Sequence, residues 1–244
     1  MKKTIWMTSS IFTMFLIWVI AYQAVNHPII LPSPIDVFKA IIEIFTHQDT
    51  LSAFGLTIVR LLLAILISAV LGITLGILSG FKKNVATFMK PYVTILRTIP
   101  VISIVVILLI LFGYEYTPYL ITFLMVFPII YSGVLEGIHQ LDQELLDVYK
   151  LEQHDWKLAL KFIYFPMISK YIFLSFLQSF GLGIKVLVMA EYLSQSKHSI
   201  GNAIYLAKVN IEYDLVFAWT IILILMAFLI EYIIQNYQKK KLAN

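Results

Sequence analysis

Apolar residues fall in six long runs separated by short polar islands, and a helix needs about 20 mostly apolar residues to cross roughly 30 Å of hydrocarbon. The runs extend from about Ile5 to Gln23, Phe54 to Gly80, Ile99 to Gly113 with Tyr92 to Leu96 leading into it, Pro118 to Gly137, Met167 to Leu193, and Leu215 to Tyr237. Membrane strands would instead alternate polar and apolar residues in short segments. The pattern therefore predicts an all-α, polytopic membrane protein with six transmembrane helices. Residues 1–53 hold the first span and a short interfacial helix on the outer side, 54–237 the main transmembrane domain, 138–166 a polar loop within it, and 238–244 a basic tail.

Two local patterns refine this outline. In Leu31-Pro-Ser-Pro-Ile35, Ser33 suits a helix cap and Pro34 the first helical position, where no amide hydrogen is needed. Val37, Ile41, Ile42, Ile44 and Phe45, interleaved with Asp36, Lys39 and Glu43, then predict a short helix at the outer membrane interface. In the second span, Ala64, Ser68, Gly72, Gly76 and Gly80 recur every four residues. Small residues at that spacing let another helix backbone approach closely, which predicts tight packing.

Composition agrees with a membrane class: 60% of the 244 residues are hydrophobic and only 13% charged, against about 25% charged in soluble domains. The absence of cysteine excludes disulfide scaffolds, zinc-thiolate sites and thiol nucleophiles. The net charge of +4 is modest, and its placement carries more information. With a cytoplasmic N-terminus, Lys2, Lys3, Lys82, Lys83, Lys90, Arg97, Lys150, Lys157, Lys161, Lys170 and Lys239 to Lys241 all lie inside, leaving Lys39, Lys197 and Lys208 outside. The positive-inside rule thus predicts both termini in the cytoplasm. The first run is longer than a signal-peptide core and no A-x-A site follows it, so it is expected to stay as a span. Basic residues in islands between apolar runs do not make a nucleic-acid surface.

Ionisable groups within spans are costly, about 2.5–3.5 kcal/mol each at a helix centre on insertion scales. Arg60, Lys185 and Glu191 fall in the outer halves of the second and fifth spans, and Arg97 near the inner end of the third. They read either as snorkelling or mutually paired charges, or as a translocation path that favours anions. His27, His47, His139, His154 and His198 are scattered without ligand spacing, so no metal site is expected. No G-x-x-x-x-G-K-[ST] phosphate loop occurs, so the chain is expected to hold no nucleotide or other cofactor and to hydrolyse no ATP itself.

The polar loop carries apolar residues at helical spacing, Leu141, Leu145, Val148 and Leu151, among Asp142, Glu144, Asp147, Lys150 and Asp155. Periodicity alone leaves open a solvated connector or a plug for a cytosolic partner. The loop resembles the cytoplasmic loop of binding-protein-dependent ATP-binding cassette importer permeases, whose pattern is E-A-A, three residues, Gly, then a helix ending in Leu-Pro. Asp147, Val148 and Tyr149 fall on E-A-A, Gln153 stands where the pattern has Gly, and Phe165-Pro166 falls on Leu-Pro. Leu31 to Val37, Thr57 to Gly80 with Arg60, Leu96-Arg97-Thr98-Ile99-Pro100, Phe112-Gly113, Phe127-Pro128, Asp142 to Leu146 and Ala190-Glu191-Tyr192-Leu193 are similar, in order, to the nitrate, sulfonate and taurine branch of that family.

That resemblance implies the type I importer permease (MetI-like) fold in a bacterial cell membrane. It also implies a permease homodimer, two cytoplasmic ATPase subunits, an extracytoplasmic substrate-binding protein and alternating access. Asp147, Val148, Tyr149, Leu151, Glu152, Gln153 and Trp156 would then form the helix that couples to the ATPase. The rival readings are an ion-gradient-driven secondary transporter, which needs acidic groups at the midplane, and a membrane-embedded enzyme or structural subunit. The acidic residues here avoid the middle of every span.

Overall fold

The computed structural model describes residues 2–27, 29–141 and 164–243, with side chains described from Ile5 to Asn236 apart from Met7. Its elements are helices: α1 (Lys2–Val25), α2 (Pro34–Thr46), α3 (Gln48–Phe81), α4 (Lys83–Thr98), α5 (Val101–His139), α6 (Phe165–Ser194), α7 (Ile200–Val209) and α8 (Tyr213–Ala243). Among the described residues five helices are long and apolar enough to cross a membrane. The longest of them, α5, contains two of the six predicted spans, divided at Gly113 (φ 73°, ψ −178°).

That backbone conformation is essentially restricted to glycine, and it lets the chain fold back. A straight helix would hold Ile104 and Met125 about 30 Å apart. Instead they share an apolar cluster with Val186 and Ala190, which lie one turn apart on α6. The boundary between the third and fourth spans is thus a single residue, where the hydropathy pattern suggests a four-residue gap.

The small-residue stripe of α3 meets the second arm of α5 in register. A Cβ on Gly72 would come within 3.0 Å of Ile130, one on Gly76 within 2.8 Å of Val134, and one on Gly80 would overlap Ile138. Numbers rise together on both helices, so the two run parallel, as they must if the chain between them crosses back once. Ser68 Oγ donates to the Phe123 carbonyl at 3.3 Å and Tyr131 Oη to Ser79 Oγ at 2.9 Å across the same seam. On the other face of α5, Gly133 and Gly137 meet Ser175 and Tyr171, so α6 runs antiparallel. The central core lies between these three helices, around Leu61, Ile65, Val126, Ile130, Val134 and Leu187.

The cap expected for α2 is present: Ser33 Oγ accepts from Asp36 N at 3.1 Å and Pro34 occupies the first turn. Its buried stripe is Val37, Ala40 and Ile44, packed on Ala218, Trp219 and Ile222 of α8. Ile42 and Phe45, expected on the apolar face, are about half exposed (52% and 50%). The inner face needs only one residue per turn where the neighbour is a helix. Helix α1 is peripheral, with Trp18 stacked on Phe217 at 6.2 Å. Leu141 and Tyr164, which bracket the undescribed segment, are both buried in the central core, and Tyr164 packs edge-on against Phe81 at 5.2 Å.

Candidate functional site

Glu191 occupies the last turn of α6 and is fully buried. Four residues later Gln195 takes a left-handed conformation (φ 51°, ψ 40°), ending the helix and turning the chain back. Ser199 then caps α7 by accepting from Asn202 N at 3.1 Å. This reversal sets the start of α7 directly over the Glu191 side chain. A Cβ on Gly201 would overlap the Glu191 Cβ, Tyr192 N and Val188 O, so this contact has room only for glycine.

The carboxylate receives three donors, one of them shared between its two oxygens. Arg60 Nη1 lies 3.0 Å from Oε1, Thr57 Oγ1 lies 3.0 Å from both oxygens, and Gly201 N donates to Oε2 at 3.3 Å. Thr57 Oγ1 in turn accepts from Ile200 N at 3.0 Å. The first amides of α7 are therefore met by a carboxylate and a hydroxyl, where the helix dipole favours negative charge. Arg60 Nη2 donates to the Lys197 carbonyl at 3.3 Å, and the guanidinium stands 5.9 Å from the centre of the Tyr119 ring. Arg60 thereby joins α3, α5, the α6–α7 turn and Glu191. An ion pair held by this many hydrogen bonds offsets much of the desolvation that burying two charges costs.

Of the two readings open for the intramembrane charges, mutual pairing describes the geometry of Arg60 and Glu191. Lys185 is not brought to them: six residues before Glu191, it projects from another face of α6 and is exposed. Arg97 lies elsewhere, in a cleft of about 650 Å³ lined by α4 and the ends of α3 and α5. Asp147, Val148, Tyr149, Leu151, Glu152, Gln153 and Trp156 lie outside the described residues.

Thr57 and Gly201 are partners that sequence reasoning did not single out. Thr57 had a signal, being one turn before Arg60 on the same face of the second span. Gly201 had none. Helix register also places the two charged regions apart: Thr57 and Gly80 are separated by about 35 Å along α3. The Arg60–Glu191 pair is at one end of the bundle. The Arg97 cleft and the exits at Leu141 and Tyr164 are at the other.

The chain is similar to known membrane transport components. A family profile, described as the binding-protein-dependent transport system inner membrane component, matches residues 72–243. The chain is 27% identical over 228 residues to a Bacillus subtilis (strain 168) protein provisionally named aliphatic sulfonates transport permease protein SsuC, covering 93% of this chain and 82% of that one. It is 23% identical to the taurine transport system permease protein TauC of Escherichia coli (strain K12) over 229 residues, 91% of this chain and 83% of that one. The formylaminopyrimidine transport permease protein ThiX of Halalkalibacterium halodurans is 26% identical over 142 residues, 56% of this chain and 54% of its own length.

Proposed function

We infer the cargo and partners of this chain from its family: it belongs to the binding-protein-dependent transport system inner membrane components and is a multi-pass permease subunit of an ATP-binding cassette importer. The cargo is a small organic anion, with sulfonates the first class to test, in keeping with the names of two of the relatives. Two cytoplasmic ATPase subunits supply the energy, an extracytoplasmic binding protein delivers the cargo, and two copies of this chain enclose the path. Both termini face the cytoplasm, as the lysine and arginine distribution supports.

In this reading Tyr149, Leu151 and Val148 anchor a helix in an ATPase groove, with Asp147, Glu152, Gln153 and Trp156 around them. A few aromatic and aliphatic anchors within a polar rim are what a small protein groove binds best. Closure of the ATPases moves that helix and rocks the bundle between outward and inward access. Arg60 and Glu191 act as positioning residues that hold α7 against α3 and α6, while Lys185 and Arg97 are the candidates for contact with a passing anion.

The observation that carries the reading is the family match from Gly72 through α8, which covers most of the glycine seam and all of α4 to α8. The test is ATP-dependent uptake. This chain is reconstituted in proteoliposomes with its cognate ATPase and binding protein, and with radiolabelled ethanesulfonate and taurine. Accumulation that requires ATP, all three proteins and a sulfonate supports the proposal. Uptake driven by a proton or sodium gradient without the ATPase would overturn it.

A further inference from the structure

One face of α4 carries Lys83, Thr87, Lys90, Thr94 and Arg97. The spacings of four, three, four and three residues put all five on a single stripe, and all five line the cleft of about 650 Å³. Each is exposed. The opposite wall includes Tyr131, Ser79 and His139. Among the described residues the ion pairs are His47–Glu43 and Arg60–Glu191, so Lys83, Lys90 and Arg97 face the cleft without a carboxylate. The two threonines donate their hydroxyl protons to backbone, Thr87 to the Lys83 carbonyl at 2.9 Å and Thr94 to the Lys90 carbonyl at 2.8 Å. Along this stripe the donors left for a ligand are the three cations.

We propose that the Lys83–Lys90–Arg97 row is a track for a small oxyanion, along which a sulfonate, carboxylate or phosphate group passes from one cation to the next. The proposal deepens the importer reading, and rests on it for the direction of travel. Geometry separates a track from a single clamp. Successive cations are seven residues, or about 10 Å, apart along the helix axis, farther than one sulfonate reaches, so each holds the anion only briefly. A path conducts when binding is favourable enough to enter and divided enough to leave. The row also runs lengthwise: Val93 is buried against Phe127 and Tyr131, with Met89 and Leu96 beside it. From Lys83 to Arg97 it covers about 21 Å, whereas one headgroup layer is only about 5–7 Å thick. A bound lipid headgroup would occupy one end of the row.

The chain has no cysteine, so single cysteines at Thr87 and Thr94 can report on the cleft with all three cations intact. The full chain in its own membrane vesicles is treated with sulfonatoethyl methanethiosulfonate, its trimethylammonioethyl counterpart and an uncharged analogue. At both positions the anionic reagent should react about tenfold faster than the cationic one after normalisation to the uncharged one. Lys90→Gln should reduce that preference severalfold, and millimolar ethanesulfonate, but not choline, should slow labelling. Equal rates for the two charged reagents, or no reaction at either position in a correctly inserted chain, would overturn the proposal. So would protection seen only in vesicles containing phosphatidylglycerol and not with ethanesulfonate, which assigns the cations to a lipid headgroup. Labelling needs neither ATPase nor binding protein, so its failure is distinguishable from a failure of ATP-driven uptake.

Discussion

Arg60 Nη1 and Glu191 Oε1 lie 3.0 Å apart although 131 positions separate them in the chain, and both groups are withdrawn from solvent. Removing either partner strands the other in a low-dielectric setting, at a cost of about 3–5 kcal/mol for a buried pair. Arg60→Met and Glu191→Gln should each lower the thermal midpoint of the detergent-solubilised protein markedly. The double variant should be more stable than the sum of the two losses predicts. Strictly additive midpoints would show that the two charges are not coupled.

The glycine seam predicts a contrast between two alanine substitutions. At Gly76 a new Cβ would press on Val134, and forced overpacking costs roughly 1–3 kcal/mol. At Gly181 nothing lies within 4 Å, and alanine in mid-helix gains roughly 0.5–1 kcal/mol over glycine. Gly76→Ala should destabilise, Val134→Ala beside it should not restore the loss because the Val134 Cβ and the Tyr131 carbonyl stay within 2.8 and 3.0 Å, and Gly181→Ala should be neutral or stabilising. Denaturant-dependent loss of tertiary structure in one detergent would rank the four proteins.

Gly113 makes a third case, because its environment is open while its backbone is not. An alanine there would meet no neighbour but would have to adopt a conformation costing of order 1–3 kcal/mol. Gly113→Ala should therefore destabilise the contact between the arms of α5. Cross-linking between cysteines at Leu108 and Ile121 should fall in the variant and persist in the parent.

Two features of the seam and of α2 were legible in sequence because their causes are local. Ser33-Pro34 specifies a cap within four residues, and the four-residue spacing from Ala64 to Gly80 specifies a smooth helix face. What that face meets was not legible, since the register against Ile130, Val134 and Ile138 depends on where the chain turns at Gly113. The same holds for the pair: Arg60 and Glu191 were visible as costly charges, but their meeting depends on the α6–α7 reversal at Gln195. Lys83, Lys90 and Arg97 carry a seven-residue spacing that is plain in the sequence. That they share a cleft needed the packing of Val93.

The proposed ATPase contact is tested at the loop. Replacing both Tyr149 and Leu151 with Asp should leave the protein inserted and monodisperse while releasing the ATPase from the solubilised complex and abolishing ATP-dependent uptake. Full co-purification with normal uptake would refute the docking assignment.

Orientation is tested with the same cysteine-free background. Cysteines at Lys39 and Lys208 should react with an impermeant maleimide added to intact cells, and cysteines at Lys82 and Glu152 should react only after lysis. Labelling of the Glu152 variant from outside would invert the topology.

The parallel contact between α3 and the second arm of α5 also has a mechanical meaning. Where glycines on α3 leave only the Ile130, Val134 and Ile138 side chains of α5 between the two backbones, there is little slack in which to lose a displacement, so the two helices behave as one lever. A tilt of about 5° imposed near Tyr164 would shift the opposite end, about 30 Å away by helix rise, by roughly 2–3 Å. That is nearly the length of the hydrogen bond between Thr57 and Ile200, so a push at one face of the membrane arrives at the other as a made or broken contact.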